Sequence, residues 1–395
     1  MARSGSLFAL VGVMLVAMTG FGIFLPIFPF LALSTGASAA GITWAMGAYS
    51  FGQLIASPLW GRLSDRIGRK PILIAGLIAT SLSYVMLAYA ETVLQMGMAR
   101  FFGGLMAGNV GAAFAAAADL ADEKTRARNM GLLGAAIGFG FIAGPALGAV
   151  LVGSDPDVED FGRICEVSAG FAASAALVAL VFFRETRSRG MSATAPRARS
   201  WGMLASRREL SIFVVATLLM TTAMALMEST FGLWSHVVFQ WGPHQVGWAL
   251  AAIGLGAALL QGGAAGAAAR LLGERRTLIF GLGAFALGLV LLASAQAPWL
   301  AFLALGAITL GVGLGTPALQ SLVAAQAAES ERGAIMGLNQ SASALGRVLG
   351  PAIAGLIFDS IGHGAPYVLG AMILGLTALL IVKRPVARDP VRSPN

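Results

Sequence analysis

Long apolar stretches recur from one end of the chain to the other, separated by short polar breaks, and this pattern leaves few folds open. A bilayer core takes about 20 apolar residues per helix. Inside it, every backbone N–H and C=O needs a partner within its own element or barrel. Twelve stretches fit, taken as spans 1 to 12: Leu7–Leu33, Ala40–Leu59, Pro71–Ala90, Leu94–Ala118, Asn129–Gly153, Ser168–Phe183, Leu210–Phe239, Gln245–Ala269, Thr277–Ala295, Trp299–Ala325, Gly333–Phe358 and Ala365–Val382. The two-residue alternation of a membrane barrel is absent. The expected fold is therefore an all-α polytopic membrane protein with twelve transmembrane helices. Only 11% of the 395 residues are charged, against about 25% in soluble domains, which excludes a soluble fold.

The net charge of +8 follows a topological pattern rather than marking a nucleic-acid binder. With both termini in the cytoplasm, 23 of the 26 Lys and Arg residues face that side and Arg163 alone faces outward, as positive-inside topology requires. The break between spans 5 and 6 is acidic, with Asp155, Asp157, Glu159, Asp160 and Glu166. The location expected is the cell (inner) membrane, multi-pass. The single Cys165 excludes an intrachain disulfide and a thiolate metal site. Ala37-Ser38-Ala39 resembles a cleavage site, but the preceding run is too long for a signal peptide and reads as span 1.

The chain divides near its middle. Residues 1–183 form one six-span half, 184–209 a polar cytoplasmic linker, 210–383 a second half, and 384–395 a tail expected to be disordered. The halves repeat: Gly61 and Gly68 match Gly266 and Gly273 at an offset of 205, and Gly144-Pro145 matches Gly350-Pro351 at 206. Parallel six-helix repeats rock about a site near the bilayer midplane.

Between spans 2 and 3, Gly61 to Lys70 packs five charges into ten residues. As a tight loop it would need Gly61 and Gly68 for turning. Asp65 would then stand where span 11 enters the membrane, near Gly333, whose unpaired N–H groups form a positive dipole end. A carboxylate docked there holds that side shut. Arg66, Arg69 and Lys70 have Asp119, Asp122 and Glu123 as candidate partners. The competing reading, equally open on the residues alone, is that these charges only fix topology.

Gly61-x-Leu63-x-Asp65-Arg66-x-Gly68-Arg69-Lys70 resembles the loop 2–3 signature of the major facilitator superfamily. Arg100 is similar to that family's span 4 arginine. Gly140-x-x-x-Gly144-Pro145-x-x-Gly148 resembles the span 5 motif of its drug:proton antiporters, with Ala149 in place of the last glycine. Asn339-Gln340 to Gly350-Pro351 is similar to span 11 of the tetracycline-exporter-like group. The resemblance implies two six-helix halves, proton-driven efflux by alternating access, and a latch that stabilises the outward-open state. One departure stands out: aligning Gly22 and Pro26 puts Ala17 where that group carries an acid. The group's span 1 proton or metal-chelate site is then missing, which counts against tetracycline as substrate.

Gly140, Gly144 and Gly148 share one helix face and admit a close neighbour, and Pro145 bends the helix. That combination reads as a hinge between halves, or as a packing seam alone. Arg100, Glu228 and Arg347 lie deep in spans, where facing lipid would cost several kcal/mol. Arg347 lies roughly 21 Å along span 11, at 1.5 Å per residue. Glu228 is the deep carboxylate able to switch protonation, and either arginine is a candidate partner for it. The rival roles for Glu228 are direct contact with a cationic substrate or a fixed ion pair.

Polar residues stranded in apolar spans, namely Gln53, Asn109, Gln261, Gln320, Asn339 and Gln340, together with Phe231 and Trp234, are candidates for an adaptable substrate cavity. The expected function is proton-coupled export of small amphipathic molecules. Partners are the substrate, protons and lipid, with no nucleic acid, in a monomer. A proton symporter or a non-transporting receptor on the same scaffold are the rivals. No metal-ligand spacing, nucleophile–base spacing or P-loop appears, so no enzyme, metal or cofactor is expected; the proton gradient is the driver.

Overall fold

The computed structural model describes residues 2–122, 125–153, 158–186, 207–327 and 331–382. Most of the 184–209 linker, the 384–395 tail, Glu123, Asp155 and Asp157 lie outside the described residues. Fifteen α-helices build the described chain: α1 Ala2–Phe24, α2 Phe28–Ser34, α3 Ala39–Ile67, α4 Arg69–Ala88, α5 Val93–Leu105, α6 Asn109–Asp119, α7 Arg126–Val152, α8 Val158–Phe182, α9 Arg208–Phe239, α10 Pro243–Leu259, α11 Ala265–Leu272, α12 Glu274–Ser294, α13 Pro298–Ala325, α14 Arg332–Ser360 and α15 Ala365–Val382.

Three spans are each built from two helices. Span 1 breaks between α1 and α2 at Leu25–Ile27, because Pro26 and Pro29 withhold N–H donors. Span 4 breaks between α5 and α6, where the Trp60 indole N–H donates to the Leu105 carbonyl at 2.6 Å and replaces a lost helical bond. Span 8 carries a π-helical turn, Leu260–Ala264, between α10 and α11. Among the described residues, eleven spans are long and apolar enough to cross a membrane. The twelfth is α3, which is long enough at 29 residues but more polar. It carries Thr43, Tyr49 and Gln53 and packs between α5 of its own half and α14 of the other.

Two sequence expectations are corrected here. Gly61–Ile67 is not a loop: α3 runs on to Ile67, and Gly68 alone, at φ 111°, makes the turn into α4. Gly61 is helical, with nothing within 4 Å of where a Cβ would stand. At the repeat-related position Gly273, φ 81°, turns α11 into α12. Span 6 likewise begins ten residues early, so Glu159, Asp160 and Glu166 belong to α8 rather than to a loop. Its first turn carries Glu159 and Asp160, which suit the positive dipole end, and Arg163 bonds Glu159 at 2.8 Å.

The glycine face of α7 packs on α1 of the same half, not across to the other. A Cβ on Gly144 would stand 2.5 Å from the Gly22 Cα, and one on Gly148 2.5 Å from the Ile23 carbonyl. The seam therefore locks one half together. The contact between halves uses the other face of α7: Gly247 of α10 sits against the Pro145 carbonyl and Ala149, and Gly254 against Ile142. Ala149, the departure from the antiporter pattern, is thus an interface residue.

The helix ends at the α3–α4 and α11–α12 turns, with Arg62, Arg66, Arg69, Lys70, Arg270, Arg275 and Arg276, form a basic end of the bundle. The halves meet at the opposite end. There Gly355 of α14 lies on Ala39, Ala40 and Thr43, Gly47 lies on Pro351, and Gly232 of α9 lies on Pro29 of α2. Among the described residues, two hydrogen bonds cross between the halves at this end. The Asp359 carboxylate accepts from the Ala40 N–H at 2.9 Å, in the first turn of α3, and His244 Nδ1 bonds the Ala149 carbonyl at 2.7 Å. The contacts named here that join the halves lie toward the end away from the basic turns; that end is called the closed end below.

Gly144→Val should lower the thermal unfolding midpoint by several degrees, since overpacking against backbone costs about 1–3 kcal/mol, whereas Gly138→Ala, with nothing within 4 Å, should be neutral. Differential scanning fluorimetry reads both. Asp359→Ala should weaken the closed end by about 1 kcal/mol, a roughly fivefold population shift once exposure is allowed for. Spin-label distances between the ends of α3 and α14 check this, and an unchanged distribution would rule out a clamping role.

Candidate functional site

Glu228 lies two-thirds of the way along α9 from the basic end, and it is exposed while its neighbours Met227 and Ser229 to Ser235 are buried. Thr217, Thr221, Met224 and Glu228 recur at helical spacing, so they form one stripe of α9. The first three line a cavity of about 130 Å³ closed by α12, α13 and α14. Glu228 thus faces the interior opening rather than a packed neighbour, as a membrane-depth carboxylate must. Arg347 of α14 is the cation that acts on it electrostatically. No direct ion pair joins the two among the described residues, so Glu228 is polarised by Arg347 but not locked to it. Arg347 donates to the Ser343 Oγ at 3.0 Å, one turn nearer the basic end.

Arg100 of α5 is placed differently. It is 7% exposed, and its guanidinium lies 4.7 Å from the ring centroid of Tyr49 and 5.4–5.8 Å from those of Phe21, Phe24 and Phe28. Ring faces attract a cation, so a box of α1, α2 and α3 aromatics holds it. Among the described residues no carboxylate pairs with it. Tyr49 is within electrostatic reach of both Arg100 and Arg347.

The cavity brings together Gln320, Asn339 and Gln340 with Thr221, Thr316 and Ser343, against Met220, Met224, Phe285 and Leu319. The remaining cavity candidates lie elsewhere. Phe231 and Trp234 are fully buried in an aromatic cluster with Phe239, Trp241 and Tyr367 near the closed end; Trp234 and Tyr367 stand 5.6 Å apart. Asn109 is buried at the α6 N-terminus, against Gly76 of α4. Gln53 is half-buried on α3, and Gln261 is exposed within the π-helical turn. Hydropathy marks a polar residue in a span, but which face it occupies depends on breaks and π turns that the sequence does not announce.

The basic-end turn is a compact joint. Arg69 bonds Asp65 at 2.6 Å and Asp119 of α6 at 3.0 Å, and so ties α3, α4 and α6. A carboxylate does dock on a helix N-terminus here, but it is Glu185, just past α8. It accepts from the N–H groups of Arg69 and Lys70 at 2.9 and 3.1 Å. Lys70 Nζ donates to the Leu180 carbonyl at the end of α8 at 2.7 Å. Arg275 makes the equivalent bond to the Ile381 carbonyl of α15, and Glu274 bonds Ser321 of α13 as Arg69 bonds Asp119 of α6. Glu185 and Asp359 were missed in the sequence; each is an acid placed just past or at the end of a span, beside the first turn of another.

The family model described as Major Facilitator Superfamily matches residues 10–242 and 232–395. Tetracycline resistance protein, class G, of Vibrio anguillarum is 32% identical over 98% of this chain and 100% of its own length. Multidrug resistance protein 2 of Bacillus subtilis (strain 168) is 27% identical over 93% and 92%. Among solved structures, the nucleoside transporter NupG superposes with a TM-score of 0.78 at 12% identity, over 95% of this chain and 98% of its own; at that identity the likeness speaks for the fold. A match along nearly the whole chain, on a bundle of two repeated six-span halves, places this protein in the major facilitator superfamily.

Proposed function

We propose that this protein is a proton-coupled exporter of small amphipathic, drug-like molecules, working by alternating access with its basic end and both termini in the cytoplasm. The observation that carries the reading is Glu228: a carboxylate at membrane depth, facing an opening and polarised by Arg347 without a fixed ion pair. Such a group can hold a proton in one conformation and lose it in another. With 23 of 26 basic residues assigned to one side, positive-inside topology puts the basic end in the cytoplasm, and inter-half contacts gathered toward the opposite end support reading the state as inward-open.

The relatives named for resistance to tetracycline, multiple drugs and quinolones support export over import. Ala17, 5% exposed, packs into the core of the first half at the place where the tetracycline exporters resembled above carry an acid. Coupling then falls to Glu228, and the substrate class is drawn broadly rather than as tetracycline. The proton gradient is the energy source, without a bound cofactor, and the working unit is a monomer. The Asp65–Arg69–Asp119 joint rearranges when the basic end closes, which frees Asp65 to meet α14.

Antiport fixes the sign of the pH dependence. Substrate and proton compete, so wild-type drug affinity should fall as pH drops and Glu228 becomes protonated. Glu228→Gln mimics the protonated state at every pH. In proteoliposomes it should lose pH-driven uphill transport by at least roughly tenfold, about 1.4 kcal/mol of coupling, and show drug binding flat in pH. Full uphill transport by the variant, across cationic, neutral and anionic drugs, would remove Glu228 from the coupling role.

A further inference from the structure

We propose that two apolar clefts at the basic end, one in each half, each hold an acyl chain of an anionic phospholipid whose phosphate is bound at the cleft mouth, by Arg184 in the first half and Arg208 in the second. The proposal stands apart from the exporter reading.

The first cleft lies between the start of α1 and the end of α8. Gly5, Phe8 and Gly12 wall one side and Val178 and Phe182 the other, around about 640 Å³. The second lies between the start of α9 and the end of α15, walled by Ile212, Val215, Leu219, Leu380 and Ile381 around about 170 Å³. Spans 1 and 6 correspond to spans 7 and 12 in the repeat, so the same gap is made twice. No side chain closes the first: a Cβ on Gly5 or Gly12 would meet nothing within 4 Å. Phe8 is 71% exposed and Val215 44%, and apolar surface left bare on a membrane span faces hydrocarbon. The length suits a lipid chain. Arg208 to Leu219 rises roughly 16 Å along α9 at 1.5 Å per residue, about half of the roughly 30 Å core and so one leaflet.

Charge selects the headgroup. Each cleft is apolar along its length and has one charged residue, an arginine. Arg184 follows the end of α8 and Arg208 opens α9; both are exposed, and among the described residues neither has an acceptor. No acid lines either cleft. Glu185, beside Arg184, is taken by the N–H groups of Arg69 and Lys70, and Glu209 lies roughly 100° round α9 from Arg208. A second cation caps the helix that walls each cleft: Lys70 on the Leu180 carbonyl of α8, Arg275 on the Ile381 carbonyl of α15. A guanidinium takes a phosphate through two N–H groups, and basic pockets between helices at a membrane surface select anionic headgroups. A zwitterionic lipid would bring its own cation to the same place. Each cleft is walled by two helices of one half, so rocking does not expose it alternately to two solutions, as a substrate site requires.

Native mass spectrometry of the purified full-length protein in detergent, with dioleoyl phosphatidylglycerol or dioleoyl phosphatidylcholine added, tests this. Wild type should retain two phosphatidylglycerol molecules, each bound at least roughly tenfold tighter than phosphatidylcholine. Arg184→Gln and Arg208→Gln should each retain one, and the double variant none. Arg62→Gln removes a charge from the same end but from neither cleft, and should retain two. Gly12→Phe keeps Arg184 but fills the first cleft, and should retain one. Glycerol 3-phosphate, which has the charge without the chains, should displace neither lipid at equal concentration. Melting curves confirm that each variant is folded. Equal retention of the two lipids, two phosphatidylglycerols on the double variant or on Gly12→Phe, loss from Arg62→Gln, or displacement by glycerol 3-phosphate each overturns the proposal.

Discussion

A carboxylate cannot stay charged at membrane depth without a cation or water beside it, and the arrangement around Glu228 answers that constraint. Glu228 is exposed on its stripe of α9, Arg347 of α14 acts on it electrostatically, and Arg347 donates to Ser343 without a direct ion pair to Glu228 among the described residues. A locked pair would be stable but inert, since removing a proton from neither partner would change anything. A carboxylate with neither cation nor water nearby would favour its neutral form. The intermediate geometry leaves the group able to respond to small movements of Arg347, which belongs to the same half, while rotation of that half against the other changes which solution reaches the pair.

That rotation depends on each half moving as a body. The glycine contacts between α1 and α7, at backbone distance, remove slack within the first half. The contact between halves is built differently, from small residues and prolines with a few hydrogen bonds at one end: Gly247 on Pro145, Gly47 on Pro351, and Asp359 on the Ala40 N–H. Rigid halves joined by a small, partly polar contact are suited to rocking, because opening the closed end breaks few interactions and leaves each half's core intact.

Length and apolarity were enough to read twelve spans in two halves, because lipid imposes one simple rule on every span. The repeat was legible for the same reason: Gly68 and Gly273 both need positive φ, and only glycine takes it without strain. The depth of Glu228 and Arg347 was legible too, since ionisable residues inside a span are rare. What escaped was anything set by rotation about a helix axis. Phe231 and Trp234 lie within two turns of Glu228, yet they face the aromatic core near the closed end. The α5–α6 break turned Asn109 into the α4 contact, and a continuous α3 replaced the loop expected at Gly61. Glu185 and Asp359 could not be assigned because their partners are backbone N–H groups, which carry no residue identity.

The two halves repeat in architecture but divide the work. Lys70 to Leu180 and Arg275 to Ile381 are the same bond made twice, so the basic-end joints are equivalent as structure. Their charges are not equivalent: Asp65 has Arg270 as its counterpart, and Arg69 pairs with acids where Glu274 pairs with a hydroxyl. Asp65 is bonded to Arg69 within its own half, and its docking on α14 belongs to the proposed latch. The second half holds Glu228, Arg347, Ser343 and the cavity on adjoining helices. On the exporter reading proposed above, with Glu228 as the proton site, drug and proton compete within the second half, and the coupling between them does not have to travel between halves. Rocking only changes which solution those side chains see, so a substitution at the α3–α14 or α7–α10 contact should alter rate and state population while leaving the exchange of drug for proton intact.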